Sequence, residues 1–508
     1  MPEPQQFLAE ALRRVQGLAT DGIVRGPELS RRDRQLLTKR GFLIEIIKGW
    51  YALATPENDA GDTTFWHAHF WSFIRAYLSH RFGSKYCLSA EYSLDLWTGN
   101  SQTPSQLVVI AGKGGASTLK LPNATSLLIY ADSKNLPTKA ETIHGVQVMP
   151  LATALTRVAP SFFRNSADNA EIAVRLVNPN ELIRILLSEK SSLVSVGRLI
   201  GAARHCGLTE QAKQLTDDIT AAGLEFKESN PFAAPPRLSL GTRLNTPHAG
   251  RLKALWNQML PIAANLFPES PKASKPSAYL KSIGEIHKRD AYNSLSIEGY
   301  QVTPELIDQI ESGHWNPEAN PTDQSTINAM AAKGYFEAFQ TVSASIQEIL
   351  GGQPVSKIAN RNFPNWYRKL FSPSVQSGLL SAHTLAGFRN RPVFIRGSHH
   401  IPPPHEAVPE LMELLFQLLD EEAPAGAKAI LAHFLFVYIH PYSDGNGRIG
   451  RFLLNVFLAA GHYPWTVIRV EKRSQYMTAL ETASVKGDIS DFTSFIASEM
   501  EASKKHGN

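Results

Sequence analysis

A multidomain protein, mixed α and β through its first half and all-α through its second, is predicted by three observations on this sequence of 508 residues. Helical patterns and alternating apolar runs are interleaved up to about residue 225. A stretch rich in proline and small residues, SNPFAAPPRLSLG, then interrupts them. Beyond it, apolar residues recur at spacings of three and four in segment after segment, the pattern of a helical bundle.

Each part can be taken in order. Residues 5–53 run FLAEALRRVQGL, a break at GIVRG, PELSRRDRQLLTKRG and the strand-like FLIEIIKGWYAL. Two or three helices followed by a two-stranded ribbon turning at Lys48 and Gly49 predict a winged helix-turn-helix over 1–58. Arg31, Arg32, Arg34, Lys39 and Arg40 fall on its second helix and the turn after it, with Lys48 at the wing tip. That arrangement suits phosphate contacts on both sides of a groove in double-stranded DNA. Over 59–228, QLVVIAGKGGASTLKLP and TSLLIYA read as strands, TFWHAHFWSFIRAYLSHRF and NELIRILLSEK as helices, so an α+β module is expected. GKGGAS lacks the GK[ST] ending of a phosphate loop and reads as a glycine-rich hairpin turn. Residues 229–244 read as a linker and 245–508 as the helical part.

Composition narrows the function classes. The apolar fraction of 43% is ordinary for globular cores, and a net charge of +5 with a pI near 9.0 permits nucleic-acid contact without demanding it. Cys87 and Cys206 are far apart and lack metal spacing, which fits a reducing compartment. The opening MPEPQQFLAEALRR has no apolar signal core, and no run reaches about 18 uninterrupted apolar residues. A cytoplasmic protein without membrane contact is expected.

The chemistry concentrates in HPYSDGNGRIGR, His440 to Arg451. A helix ending at Ile439 delivers His440 to a loop, and GNGR opens a new helix carrying Arg448 and Arg451 one turn apart. Gly445 and Gly447 let amides turn inward at a helix N-terminus, a concavity that favours an anion such as phosphate. Two arginines add bidentate donors for a ligand with several phosphates. Asp444 among these anion binders makes sense as a Mg²⁺ ligand, since that ion binds through one or two carboxylates plus the phosphates themselves. His440, neutral near pH 7, can accept a proton. GSHHIPPPH, with His399, His400 and His405, reads as a proline-bearing loop rather than a metal site.

The stretch closely resembles the signature of the Fic family: His440, Pro441, Asp444, Gly445, Asn446, Gly447, Arg448 and Arg451 match, with Tyr442 where the family usually has phenylalanine. RNRPVFIRGSHHIPPPHEAVPELMELL looks like that family's β-hairpin flap and the following helix, and EKRSQYMTALETASVKGDISDFTSFI like its closing helices. The resemblance implies transfer of AMP from ATP to a serine, threonine or tyrosine hydroxyl of a protein, the chain itself included. It makes His440 the base and Asp444 the holder of Mg²⁺. Gly445, Asn446, Gly447, Arg448 and Arg451 become the phosphate site, Tyr476 lines the base pocket, and Val393, Phe394 and Ile395 of the flap pair with an extended target. NSLSIEGYQ matches the family's inhibitory pattern at Ser294, Glu298 and Gly299, within a helix at about 285–299, so Glu298 would pair with Arg451 at the γ-phosphate position. A charge-assisted bond of about 1.5–3 kcal/mol would hold activity down roughly ten- to over a hundredfold. The N-terminal part loosely resembles AbiEi-type antitoxin regulators over about 1–225. The alternatives are a Doc-like phosphotransferase, disfavoured because lysine replaces the residue at Gly447 there, and a winged-helix regulator whose helical part senses nucleotide. Partners expected are ATP, the target protein, DNA and a second copy of the chain.

Overall fold

The computed structural model describes residues 4–56, 64–100, 102–188, 193–241, 243–273, 275–314 and 323–505. The chain divides into two units, Met1–Arg251 with Phe394–Ile401, and Leu252–Val393 with Pro402–Asn508.

The first unit opens with the helix Pro4–Leu18, strand β1 (Ile23–Arg25), a 3-10 turn, the helix Arg31–Lys39, and strands β2 (Leu43–Ile47) and β3 (Trp50–Leu53). The strands are antiparallel in the order β1-β3-β2. Ser30 starts the second helix by accepting a hydrogen bond from the Asp33 amide at 3.0 Å, and Asp33 in turn pairs with Arg14 at 2.7 Å, tying the two helices together. Lys48 and Gly49 form the two-residue turn between β2 and β3, where Gly49 takes a φ of 81°. The expected boundary at 58/59 lies outside the described residues, but the core does not part there. Trp50 of β3 meets Phe73 and Tyr77 of the helix Thr64–Phe82 edge-on, at 5.9 and 5.7 Å.

The second sheet joins β4 (Tyr86–Leu88), β5 (Gln106–Ala111), β6 (Ser117–Lys120) and β7 (Ser126–Ala131) in the order β4-β5-β7-β6, with β5 and β7 parallel. GKGGAS is therefore not a hairpin turn, as β7 lies between the strands it connects. The reason is apolar content: SLLIYA takes the central place, and STLK, half exposed along its length, is left at the edge. A hairpin of β8 (Glu141–Ile143) and β9 (Val146–Val148) precedes helices that run from Leu151 to Ala221.

The stretch read as a linker is a strap. Glu171 and Arg175, one turn apart on the helix Ala167–Leu176, pair at 2.7 Å with side chains 5% and 0% exposed. Glu171 also accepts the amides of Arg237 and Leu238 at 2.9 and 3.0 Å, while Arg175 donates to the carbonyls of Leu238 and Ser239. A buried pair answers the backbone of a segment that has no ladder of its own.

The second unit is helical. The apolar helix Ala425–Ile439 packs on Val408–Asp420 and on its successor Asn446–Ala460, against which Asp323–Leu350 and Val355–Gln376 also lie. Pro276–Ile297 packs on Asp323–Leu350. The helix Ala425–Ile439 and its successor are buried along most of their length. The expected β-hairpin flap is absent. Residues 391–404 carry no strand; a turn closes where the Ser398 amide donates to Ile395 at 3.1 Å, with Gly397 at φ 73°. Pro392, Pro402, Pro403 and Pro404 remove the amides that a ladder requires. Among the described residues, no helix is long and apolar enough to cross a membrane.

Candidate functional site

The helix Ala425–Ile439 ends by turning His440 left-handed, at φ 54° and ψ 61°. The His440 Nδ1–H donates to the Val437 carbonyl at 3.1 Å, which places the ring's lone pair on Nε2. Burial pushes this imidazole down to about 4, with the nearby Arg389 guanidinium adding to the effect. It is neutral at pH 7 and can accept a proton.

The loop that follows is closed by its own side chains. Asn446 accepts the Tyr442 amide at 2.9 Å and donates to the Tyr442 carbonyl at 2.8 Å, and it is 2% exposed. Its side chain shapes the loop, since its oxygen and one of its two N–H groups are given to the backbone of Tyr442. Tyr442 stacks face to face on Tyr367 with ring centroids 3.6 Å apart, so the aromatic anchor survives the exchange from phenylalanine.

The helix Asn446–Ala460 begins at Gly445, whose φ of 82° suits glycine, and a Cβ there would meet the Phe371 ring at 2.7 Å. The Gly445 amide donates to Asp444 Oδ1 at 2.5 Å, so it is occupied by the loop's own carboxylate. The orphan amides of the first turn, Asn446, Gly447 and Arg448, remain as the helix's anion-binding end. Arg448 is buried between the rings of Tyr300 and Phe371, at 5.1 and 4.9 Å, and reaches Asp444 Oδ1 at 3.1 Å. The Asp444 side chain stays 60% exposed. One accessible carboxylate beside an anion site is the donor set of a Mg²⁺ ion held jointly with phosphates, and the residues present fit that ion. Among the described residues no group of three or more His, Cys, Asp or Glu forms a cage for a metal.

Arg451 is held from a different helix. Its Nε donates to Ser294 Oγ at 2.9 Å, and its Nη2 donates to the Ser294 carbonyl at 3.0 Å and to Glu298 Oε1 at 2.7 Å. Gly299, at φ 89°, ends the helix Pro276–Ile297 directly after the glutamate. Tyr300, the next residue, then reaches Arg448. Burial would raise the Glu298 carboxyl, but Arg451 and then Arg448 outweigh it and hold the group below the ordinary carboxylate range. The Glu298 carboxylate lies over Gly447 so closely that a Cβ there would be 2.4 Å from Oε1. It occupies the mouth of the anion-binding end.

Tyr476 is not at an open pocket. It is 1% exposed, its hydroxyl bonds to His433 Nε2 at 2.7 Å, and Phe492 and Phe495 pack on its ring. The inward face of the helix Arg473–Lys486 makes it a core post. Val393, Phe394 and Ile395 are half-buried without ladder partners. In the first unit Arg31, Lys39, Arg40 and Lys48 are exposed, whereas Arg32 lies 5.3 Å over the Phe7 ring and Arg34 packs toward Tyr51.

Sequence reasoning missed three residues. Arg389 donates to the backbone around His440, Arg473 donates to the Ile297 carbonyl at 2.8 Å, and His433 supports Tyr476. Gly450 was the available signal for the last, since a Cβ there would be 2.6 Å from the His433 ring.

A neutral imidazole, an accessible carboxylate and two buried arginines are gathered at one helix N-terminus, an arrangement chemically able to hold a polyphosphate beside a proton acceptor. The chain carries a Fic/DOC family domain, whose model matches residues 365–458. The protein adenylyltransferase Fic of Drosophila mojavensis is 40% identical over 114 residues, 22% of this chain and 22% of its own length. That of Drosophila grimshawi is 39% identical over 114 residues, 22% of this chain and 23% of its own. The chain thus matches less than a quarter of the length of these curated relatives. Among solved structures, a Fic domain containing signaling protein from Bacteroides thetaiotaomicron aligns at 18% identity and a TM-score of 0.38, covering 51% of this chain and 94% of that one. Fic-1 from C. elegans aligns at 17% and 0.38, covering 68% and 96%.

Proposed function

We propose that this chain is a protein adenylyltransferase restrained by its own helix, transferring AMP from ATP to a serine, threonine or tyrosine hydroxyl of a protein. The observation that carries the reading is His440. Its Nε2 lone pair stands on the loop that leads into an arginine-lined helix N-terminus, as general-base chemistry beside a polyphosphate requires. His440 takes the proton of the target hydroxyl, and that oxygen bonds to the α-phosphorus as the bond to the departing pyrophosphate breaks. Arg448, Arg451 and the first-turn amides hold the β- and γ-phosphates. Asp444 would hold Mg²⁺, which when bound supplies positive charge between the phosphates. The segment 391–397, lacking a ladder of its own, would receive an extended target.

Glu298 is proposed as the restraint. Its carboxylate fills the space over Gly447 and takes one of Arg451's donors, so a triphosphate tail and Glu298 compete for the same groups. Gly447 also speaks against a phosphotransferase of the Doc kind, because a lysine side chain would have to displace that carboxylate.

ATP labelled at the α position, compared with ATP labelled at the γ position, tests the reaction. The α label is expected to enter protein with the Glu298→Gly variant and to drop by about 10²–10⁴ when His440→Ala is added. Entry of the γ label alone would mean a kinase, and no transfer from any variant would mean a nucleotide sensor.

A second reading, DNA binding by the first unit of a cytoplasmic regulator of AbiEi kind, is favoured by the exposed Arg31, Lys39, Arg40 and Lys48 on one helix, the turn after it and the β2–β3 turn. Duplex affinity is expected to fall steeply with salt, and the slope to ease by about 0.9 for each phosphate-binding side chain replaced by alanine. Affinity indifferent to salt would remove this reading.

A further inference from the structure

Arg389 is 5% exposed, and although the Glu406 carboxylate is near enough to act on its charge, its hydrogen bonds go to the backbone. Its guanidinium donates to four main-chain carbonyls: Nε to His440 at 2.7 Å, Nη2 to Ile439 at 3.4 Å and to Pro403, and Nη1 to Arg391 at 3.2 Å. Its own amide donates to the Pro441 carbonyl at 2.9 Å. One residue therefore binds three consecutive carbonyls, at 439, 440 and 441, and both ends of the segment 391–403.

Those carbonyls need an answer. Ile439 is the last residue of its helix, where carbonyls are left without intrahelical donors and a cation is favoured. His440 sits left-handed, a backbone conformation that costs a residue with a Cβ about 1–2 kcal/mol. Such a geometry persists only where its surroundings over-determine it. The same φ and ψ let the Nδ1–H of His440 reach back to Val437, and that bond decides which ring nitrogen is the base. A planar fork of fixed N–H donors can hold several carbonyls in register; a lysine has the charge without the fork.

We infer that Arg389 is a positioning residue for His440: by fastening the carbonyls of 439–441 and both ends of the segment 391–403, it fixes the base's tautomer and aim and ties them to the closure of that segment. This rests on the adenylyltransferase reading for its activity readout. The bonds of Arg389 go to the backbone at 391, 403 and 439–441 and not to the helix that starts at Asn446, so nucleotide affinity is expected to be independent of it.

The test is made on the full chain in the Glu298→Gly background, with Arg389→Gln and Arg389→Lys added. Four quantities are read: the kcat for α-label transfer, the ATP Kd, the ¹⁵N shifts of the His440 imidazole, with its signals assigned as those lost in His440→Ala, and the melting curve. The kcat is expected to fall about tenfold to a hundredfold in Arg389→Gln, and less in Arg389→Lys, with the ATP Kd within about twofold of the parent. The ring nitrogens are expected to pass from a single Nδ1–H form to a mixture in both variants, lysine included, since charge alone does not set the tautomer. Unchanged kcat and an unchanged tautomer would overturn the inference, as would a fall in kcat matched by an equal weakening of ATP binding, which would mark a general loss of fold. Should Arg389→Gln fail to fold, the lysine variant decides. A parent that transfers no label would refute the adenylyltransferase reading, while the ring nitrogens would still settle the role of Arg389.

Discussion

Two glutamate–arginine pairs, one in each unit, show what burial does to the same chemistry. Glu171 and Arg175 lie on one helix, are excluded from water, and spend their remaining donors and acceptors on the backbone at 237–239. Glu298 and Arg451 come from helices far apart in sequence; the arginine side chain is 5% exposed, and the glutamate keeps 27% of its side chain in water. Arg451 retains both Ser294 oxygens if Glu298 leaves. Opening the first pair strands two charges away from water, whereas opening the second would leave Arg451 on the Ser294 oxygens and release Glu298 toward the solvent it already meets. Burial of both partners suits a fastening, and partial exposure of one suits the proposed restraint.

The largest effect that would sharpen this contrast is on stability. Glu171→Ala strands the Arg175 guanidinium and unties the strap, so the first unit is expected to lose about 3–5 kcal/mol, read by denaturant or thermal unfolding. A loss below about 1 kcal/mol would show that the strap is carried by other interactions. In Glu298→Gly the expected loss of stability is about 1.5–3 kcal/mol, that of one charge-assisted hydrogen bond; a loss as large as that of Glu171→Ala would erase the distinction. Smaller again is Ser294→Ala. It removes one acceptor from Arg451 while leaving the carbonyl, a loss of about 0.5–1.5 kcal/mol that loosens the restraint and raises label transfer about twofold to tenfold. A drop in transfer would mean that Ser294 serves the active form rather than the restrained one.

How much of this was legible in the sequence follows from the range of the interactions. His440, Asp444, Gly445, Arg448 and Arg451 lie on one short loop and the first two turns of the helix after it, so their order along the chain carries their geometry. Glu298 was legible because a helix end and a glycine fix where its side chain leaves. The bonds of Asn446 to the Tyr442 backbone were not legible, because a loop's need to satisfy its own amides leaves no mark in the order of residues. The strand order β4-β5-β7-β6 was hidden because it depends on which of two distant segments is the more apolar. The missing flap hairpin could have been foreseen from the prolines at 402–404, and the strap at 237–239 had no such mark. Arg389 left none either, since its partners are carbonyls that every residue possesses.

The central claim is that the Glu298 carboxylate and the triphosphate tail contend for Arg451 over Gly447. Initial rates of α-label transfer by the native chain and by Glu298→Gly, at equal protein and at one ATP concentration well below saturation with Mg²⁺, test it most directly. A rise of about tenfold to a hundredfold is expected in the variant, matching a charge-assisted bond of about 1.5–3 kcal/mol. Equal rates would contradict the claim.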